Sequence, residues 1–109
     1  MEPMEVYIAN IPFDKRNGSN FRPALVIEIE RKLIVVFKVT SHYQNKSAQI
    51  KRLYYPIQMW REARLKKKSY VETHKLYRLN KNWVFSQRPI GKLTELDSLG
   101  LFSFIKQQN

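Results

Sequence analysis

The chain has 109 residues and a formal net charge of +11 at neutral pH, from 20 Lys and Arg against 9 Asp and Glu. Its length supports one hydrophobic core and its composition does not shift, so we predict a single domain over residues 1–109. The lack of cysteine excludes disulfides, a thiolate zinc site and a cysteine nucleophile. Neither a signal peptide nor a long apolar run is visible, which predicts a cytoplasmic protein without membrane attachment.

The apolar pattern predicts a mainly β protein with short α-helices. We expect strands at residues 6–11, 48–57 and 69–79, a hairpin of residues 22–30 and 33–40, and a short helix at 58–65. The run Thr94-Glu95-Leu96-Asp97 has capping-box spacing, so a helix should extend from Thr94 towards Lys106. That helix is expected to bury Leu96, Leu99, Phe102 and Ile105. Many short strands of this kind predict a small, strongly bent antiparallel sheet or barrel.

The positive charge is concentrated in the middle of the chain. Residues 46–81 contain 11 Lys and Arg and only two acids, Glu62 and Glu72. Six aromatic residues are interleaved with this charge: Tyr43, Tyr54, Tyr55, Trp60, Tyr70 and Tyr77. Cations neutralise phosphates and rings stack on unpaired bases, so the pattern favours a nucleic-acid partner. The alternative is that the lysines only solvate the surface and that the rings belong to the core.

Common catalytic motifs are absent from the sequence. The three glycines are isolated, His42 and His74 are far apart, and the carboxylates are few and scattered. We therefore predict chemistry without a metal or another cofactor. A nuclease of this kind needs a cation over the scissile phosphate, hydroxyl groups beside it and a group that moves protons. Arg22, Thr40, Ser41 and His42 are of these types, although their spacing alone does not bring them together.

Four segments, in order, resemble the MazF/PemK toxins. Residues 20–27, which contain Arg22-Pro23, resemble the opening of the second strand of that family, and Val39-Thr40-Ser41-His42 resembles the end of the third. Residues 60–71 resemble the family's helix and serine-led strand, and residues 90–97 its closing turn into the C-terminal helix. The resemblance covers nearly the whole chain.

This resemblance implies a small Src-homology-three-like antiparallel β-barrel of the MazF/CcdB type with a C-terminal helix. It also implies a homodimer that an acidic antitoxin inhibits and that cleaves single-stranded RNA at specific sequences without metal, leaving a cyclic phosphate and a 5′-hydroxyl. The family's catalytic pair falls on Arg22 and Thr40, with Ser41 as their neighbour. A guanidinium rarely releases its proton, so Arg22 suits charge stabilisation better than general-base catalysis.

The remaining predicted site residues are the RNA-binding ones. We assign to this group His42, Arg52, Lys66, Lys67, Lys68 and Lys75. His42 is also a candidate for proton transfer, the alternative being a surface histidine with no catalytic task.

Two positions depart from the family pattern. Arg64 occupies a position where relatives usually have glycine, so the turn there is expected to differ, because a positive φ would strain an arginine. His74-Lys75 replaces an acidic-glutamine pair of many relatives, so the family's base preference is not transferred.

Two other functions stay open. One is a non-catalytic nucleic-acid-binding barrel. The other is a CcdB-like protein-targeting toxin, whose functional surface would lie on the C-terminal helix.

Overall fold

A computed structural model describes residues 1–13 and 15–108 as one curled antiparallel sheet, a half-barrel, with two helices. The strands are β1 (Glu5–Pro12), β2 (Ser19–Ile29), β3 (Leu33–Thr40), β4 (Tyr54–Pro56), β5 (Tyr70–Asn80) and β6 (Gly91–Lys92), in the order β4-β5-β3-β2-β1-β6. The helices are α1 (Ala48–Lys51) and α2 (Glu95–Gln107), and Lys81–Trp83 forms a 3-10 turn. The predicted mainly β class and bent antiparallel sheet are confirmed. Neither helix within these described residues is long and apolar enough to cross a membrane.

Two irregularities in strand pairing accompany the curl of the sheet. The pairing of β2 with β3 shifts between Val26 and Glu28, and residues 73–76 of β5 bulge out opposite a single residue of β3. Bulges of this kind increase the local twist and bend a strand. The sheet consequently contributes to two cores, one containing Leu25, Val39 and Leu101 and the other containing Ala24, Val36 and Tyr77.

The predicted strand at residues 48–57 and the predicted helix at 58–65 are wrong. Only Tyr54–Pro56 pairs with the sheet, because Ala48–Lys51 forms one helical turn whose N-terminus is capped by Ser47. The Ser47 hydroxyl accepts a hydrogen bond from the Ile50 N–H at 3.3 Å, an interaction that competes with strand formation. Residues 58–65 form consecutive turns rather than a helix.

The predicted start of α2 is confirmed. The Thr94 hydroxyl accepts from the Asp97 N–H at 3.4 Å, which is the first half of a capping box. The Asp97 carboxylate, in contrast, points into the protein. It accepts hydrogen bonds from the Tyr55 hydroxyl at 2.6 Å and from the N–H groups of Gln58 and Met59, each at 2.8 Å. Asp97 therefore ties the helix to β4 and to the turns that follow it.

The predicted buried face of α2 is wrong. Leu96, Leu99 and Phe102 are 59%, 62% and 49% exposed, Ile105 is only partly buried, and Leu101 is fully buried. Two contacts orient the helix in this way: the buried Asp97 carboxylate and the close approach of Gly100 to Tyr55. A Cβ at Gly100 would clash with the Tyr55 hydroxyl oxygen, so a larger residue would displace this buried ring.

Candidate functional site

A cleft of about 440 Å³ opens beside the end of β3. It is lined by apolar side chains, hydroxyl groups and cations. The apolar residues include Ile8, Pro23, Val39 and Ile90, the hydroxyl residues are Thr40, Ser41 and Ser69, and the cations are Arg64, Lys66 and Lys67. No carboxylate is among the described residues that line it. We call this feature the basic cleft. Its walls combine hydroxyl donors and positive charge around an apolar surface, which is a chemistry suited to a phosphate and its attached base.

Arg22 lies on β2, next to the basic cleft but not among the described residues that line it. The recorded pairing of β2 with β3 includes Ala24 opposite Lys38. Continuing this register by two residues along each strand brings Arg22 opposite Thr40. The two predicted catalytic residues therefore lie at the same end of adjacent strands.

A buried acid, Glu72, holds the Arg22 side chain. Nη2 of Arg22 lies 3.5 Å from Oε2 of Glu72, and this contact reaches across β3 because β2 and β5 flank that strand. Sequence reasoning missed Glu72, although it was one of only two acids in the basic middle of the chain. Its proximity to Arg22 depends on the pairing of strands 50 residues apart, which no local pattern shows.

Tyr54 completes this polar cluster. It pairs with Glu72 across β4 and β5. Burial, together with the charge and hydrogen bond of the Glu72 carboxylate, raises the pKa of Tyr54 to about 12, against a smaller opposing effect of Arg22. The phenol therefore keeps its proton at neutral pH and serves as a hydrogen-bond donor to the carboxylate.

Thr40, Ser41 and His42 continue from β3 into the following loop. Thr40 is largely buried but reaches the wall of the basic cleft, and its hydroxyl oxygen accepts a hydrogen bond from the backbone N–H of His42 at 3.0 Å. Ser41 is exposed and lines both the basic cleft and a second depression of about 380 Å³ formed by residues 41–46. His42 lies in this second depression. The three residues thus form a short hydroxyl-rich segment that connects two adjacent hollows.

The predicted RNA-binding cations do not form one group. Lys66 and Lys67 line the basic cleft, and the exposed Lys68 follows them directly. Arg52 instead borders a separate depression with Phe104 and the end of α2. Lys75 lies on the bulged part of β5, where its Nζ is 4.8 Å from the centre of the Tyr77 ring. The structure brings together the consecutive lysines and separates Arg52 from them.

The exposed rings differ from those that the sequence indicated. Tyr54, Tyr55, Tyr70 and Tyr77 are buried, and Tyr43 stacks on Tyr70 with ring centres 4.1 Å apart. The exposed pair is formed by two phenylalanines that sequence reasoning missed.

Phe21 and Phe85 are 60% and 66% exposed, and their ring centres are 5.2 Å apart. Phe21 shares a strand face with Pro23, and the Phe85 N–H donates to the Ile8 carbonyl at 2.7 Å. Pro23 and Ile8 both line the basic cleft, so the segments that carry the two rings lie beside it.

Arg64 adopts the left-handed backbone conformation, with φ of 67°. Its N–H donates to the Arg61 carbonyl at 2.9 Å, and the Leu65 N–H donates to the Trp60 carbonyl at 3.0 Å. This pair of bonds is that of a Schellman motif, in which the residue at the Arg64 position is usually glycine. The backbone at Arg64 therefore has a positive φ, a conformation that strains any residue with a Cβ.

The described residues include no group of three or more His, Asp or Glu that could hold a metal ion. No protein-family model matches this chain, and no curated protein matches it.

Proposed function

We propose that this chain is a metal-independent, sequence-specific endoribonuclease toxin of the MazF/PemK type, folded as a Src-homology-three-like barrel, that acts in the cytoplasm. The observation that carries the proposal is the position of Arg22 and Thr40 at one end of adjacent strands, beside a cleft lined with cations. The net charge of +11 supports a polyanionic substrate. The curled sheet with its C-terminal helix is compatible with this type of barrel.

The reaction requires charge stabilisation and two proton transfers. The ribose 2′-oxygen loses its proton and bonds to phosphorus, while the bond from phosphorus to the 5′-oxygen breaks and that oxygen gains a proton. The products are a cyclic phosphate and a 5′-hydroxyl. Negative charge grows on the non-bridging oxygens, where the Arg22 guanidinium and the Thr40 hydroxyl act as donors. The backbone N–H of His42 donates to the Thr40 hydroxyl oxygen, which fixes His42 directly after the catalytic pair, and its imidazole is the candidate for proton transfer.

The contact between Arg22 and Glu72 is compatible with this role. Its length of 3.5 Å exceeds the roughly 2.7–2.9 Å of a strong charge-assisted hydrogen bond. Glu72 therefore orients the guanidinium without occupying its donors fully, and an incoming phosphate can compete for them.

A cleavage assay with paired substitutions tests the proposal. Arg22→Ala and Thr40→Ala should each slow cleavage of single-stranded RNA, Arg22→Ala by at least about 100-fold, because a preorganised donor to the transition state is lost. The double variant should be little slower than the worse single variant, as expected of residues that act together. Arg31→Ala, in the turn at the opposite end of the same hairpin, is the matched control. If Arg22→Ala cleaved at the wild-type rate and only bound RNA more weakly, the catalytic assignment would be wrong.

The proposed partners are single-stranded RNA, an acidic antitoxin and a second copy of the chain. The basic cleft suits the first two, since both are polyanionic and no carboxylate lines its described part. The exposed apolar side chains of α2, which are Leu96, Leu99 and Phe102, suit a second copy.

The same α2 surface favours a second candidate function, a CcdB-like toxin that binds a protein target. Under this alternative, substitutions on α2 abolish toxicity and Arg22→Ala does not. A non-catalytic RNA-binding barrel is the remaining outcome, and it would bind RNA without cutting it in the assay above.

A further inference from the structure

Arg64 has a strained backbone conformation, and we expect an interaction that offsets its conformational cost. The left-handed conformation is unfavourable for an L-amino acid, because its Cβ approaches the following carbonyl oxygen. Glycine has no Cβ and does not incur this conformational cost. Met4 is the other non-glycine residue with positive φ in the described part of the chain, and its side chain is buried in the core. Arg64 has no such compensation, since it is exposed.

The turn itself does not require an arginine. Its two hydrogen bonds are made by backbone groups, and its packing partner is the backbone of β6. The Lys92 N–H donates to the Ala63 carbonyl at 3.1 Å, and Gly91 lies directly against that carbonyl. Glycine at position 64 would keep all of these interactions and remove the strain.

The electrostatic surroundings of Arg64 indicate an anionic ligand. Arg64 lines the basic cleft together with Lys66 and Lys67. Within residues 1–13 and 15–108, the guanidinium of Arg64 makes no hydrogen bond or ion pair. Three cations along one cleft repel each other, and a bound anion removes this repulsion.

We propose that Arg64 is a phosphate-binding residue of the basic cleft, where its guanidinium and the adjacent lysines bind an RNA phosphate next to the one that Arg22 and Thr40 act on. This inference rests on the proposed function. Arginine suits the task because its planar donors bind two phosphate oxygens at once. Under this proposal, the strained turn is retained because it places a guanidinium at the basic cleft.

The test compares stability with RNA affinity in the same variants. Arg64→Gly should raise Tm by about 2–5 °C, since relief of strain outweighs the greater freedom of glycine in the unfolded chain. The same variant should bind single-stranded 2′-O-methyl RNA, which cannot be cleaved, at least about 10-fold more weakly. The slope of log affinity against log salt should become shallower by about 0.7. Arg64→Lys should have intermediate affinity, because it keeps the charge and loses the paired donors.

Arg61→Ala is the matched control, because it removes one positive charge from the same turn. Arg61 is exposed and its guanidinium lies over the Trp60 ring, 4.8 Å from the ring centre. We expect its RNA affinity to stay within about 3-fold of wild type, since it makes no direct phosphate contact under the proposal. Arg64→Asn repeats the test with a second residue that tolerates the left-handed conformation, should the glycine variant fold poorly.

The outcomes separate this inference from the proposed function. If Arg64→Gly is more stable and binds RNA as tightly as wild type, the phosphate-binding role is wrong and the nuclease proposal is unaffected. If the wild type binds the 2′-O-methyl RNA and does not cleave unmodified RNA, the nuclease proposal fails. The affinity of the Arg64 variants for the 2′-O-methyl RNA still supports or refutes the role of Arg64. If the wild type binds no RNA, both are overturned.

Discussion

Arg22 illustrates how a side chain is positioned by partners that are remote in sequence. Its own segment, Arg22-Pro23 at the start of a β-rich run, was readable from the sequence. Its orientation is set by Glu72, which is 92% buried and lies on a strand on the far side of β3. A buried carboxylate needs a partner, so the ion pair satisfies Glu72 and restrains Arg22 at the same time.

The exposed rings of Phe21 and Phe85 are expected to stack on RNA bases. Stacking of a base on an aromatic ring contributes about 1–3 kcal/mol. Phe21→Ala and Phe85→Ala should each weaken binding of single-stranded 2′-O-methyl RNA by roughly 5-fold or more, with little change in the salt slope, because stacking releases no counterions. Fluorescence anisotropy at several salt concentrations measures both quantities.

Leu76→Ala is the control for the loss of an exposed apolar side chain, since Leu76 is 51% exposed on the bulge of β5. Equal losses of affinity in the Phe21, Phe85 and Leu76 variants would contradict a specific stacking site.

No sequence pattern distinguishes these phenylalanines from the six rings that are interleaved with the basic residues. A ring in a strand is buried or exposed according to which face it occupies and what covers that face. Phe21 lies near the start of β2, and its neighbour Phe85 comes from a segment 64 residues later. Their contact is a tertiary one, which pattern alone does not predict.

At the scale of secondary-structure elements, the attachment of α2 depends on Asp97. Its carboxylate accepts three hydrogen bonds, from Tyr55, Gln58 and Met59, and is fully buried. Asp97→Ala would leave these donors without their acceptor, so we expect a loss of at least about 3 kcal/mol in the free energy of unfolding. Urea denaturation measures this loss.

Glu95→Ala is the control for the Asp97 variant, since it removes an exposed acid from the same first turn and should cost no more than about 1 kcal/mol. A loss below about 1 kcal/mol for Asp97→Ala would show that α2 is held mainly by its apolar contacts.

The prediction of the buried face of α2 was wrong because the burial of Asp97 orients the helix. Apolar spacing at Leu96, Leu99 and Phe102 favoured burial of that row, whereas the helix buries an acid, a glycine contact and Leu101 instead. Periodicity assumes that apolar residues face the core of their own domain. This assumption fails for a helix whose apolar residues contact another molecule. The exposure of the apolar row of α2 therefore indicates a second apolar surface.

We expect this surface to form the homodimer. Glu95, Leu99, Phe102 and Lys106 are spaced by four, three and four residues, which places them along one line of the helix. In a twofold antiparallel pair of helices, Glu95 lies near Lys106 of the partner subunit, so the charges are complementary. Leu99→Asp should therefore give a monomer by light scattering while leaving the fold intact, because Leu99 is 62% exposed.

Reversing the charges provides the control for the antiparallel arrangement. Glu95→Lys and Lys106→Glu should each weaken dimerisation, and the two together should restore it. A wild-type protein that is monomeric at all micromolar concentrations would contradict the prediction.

At the scale of the whole molecule, the class of fold was largely readable from the sequence. The hairpin of β2 and β3, the long β5 and the start of α2 all follow from alternation, turn residues and capping. The curl of the sheet was not readable in detail, because it accompanies a register shift between Val26 and Glu28 and a bulge at residues 73–76. The site at the end of β3 could be predicted only in part, since its described walls come from five separate regions of the chain, at residues 8, 23, 39–41, 64–69 and 90.

Under the proposed function, this molecule cleaves RNA by attack of the ribose 2′-hydroxyl, using its own side chains. The most direct measurement is to incubate the purified wild-type protein with single-stranded RNA in excess chelator and to determine the chemical ends of the fragments. We predict cleavage at defined sequences, with a cyclic phosphate on one fragment and a 5′-hydroxyl on the other, and loss of these products with Arg22→Ala. Intact RNA, cleavage that the chelator abolishes, or fragments that carry a 5′-phosphate would contradict this mechanism.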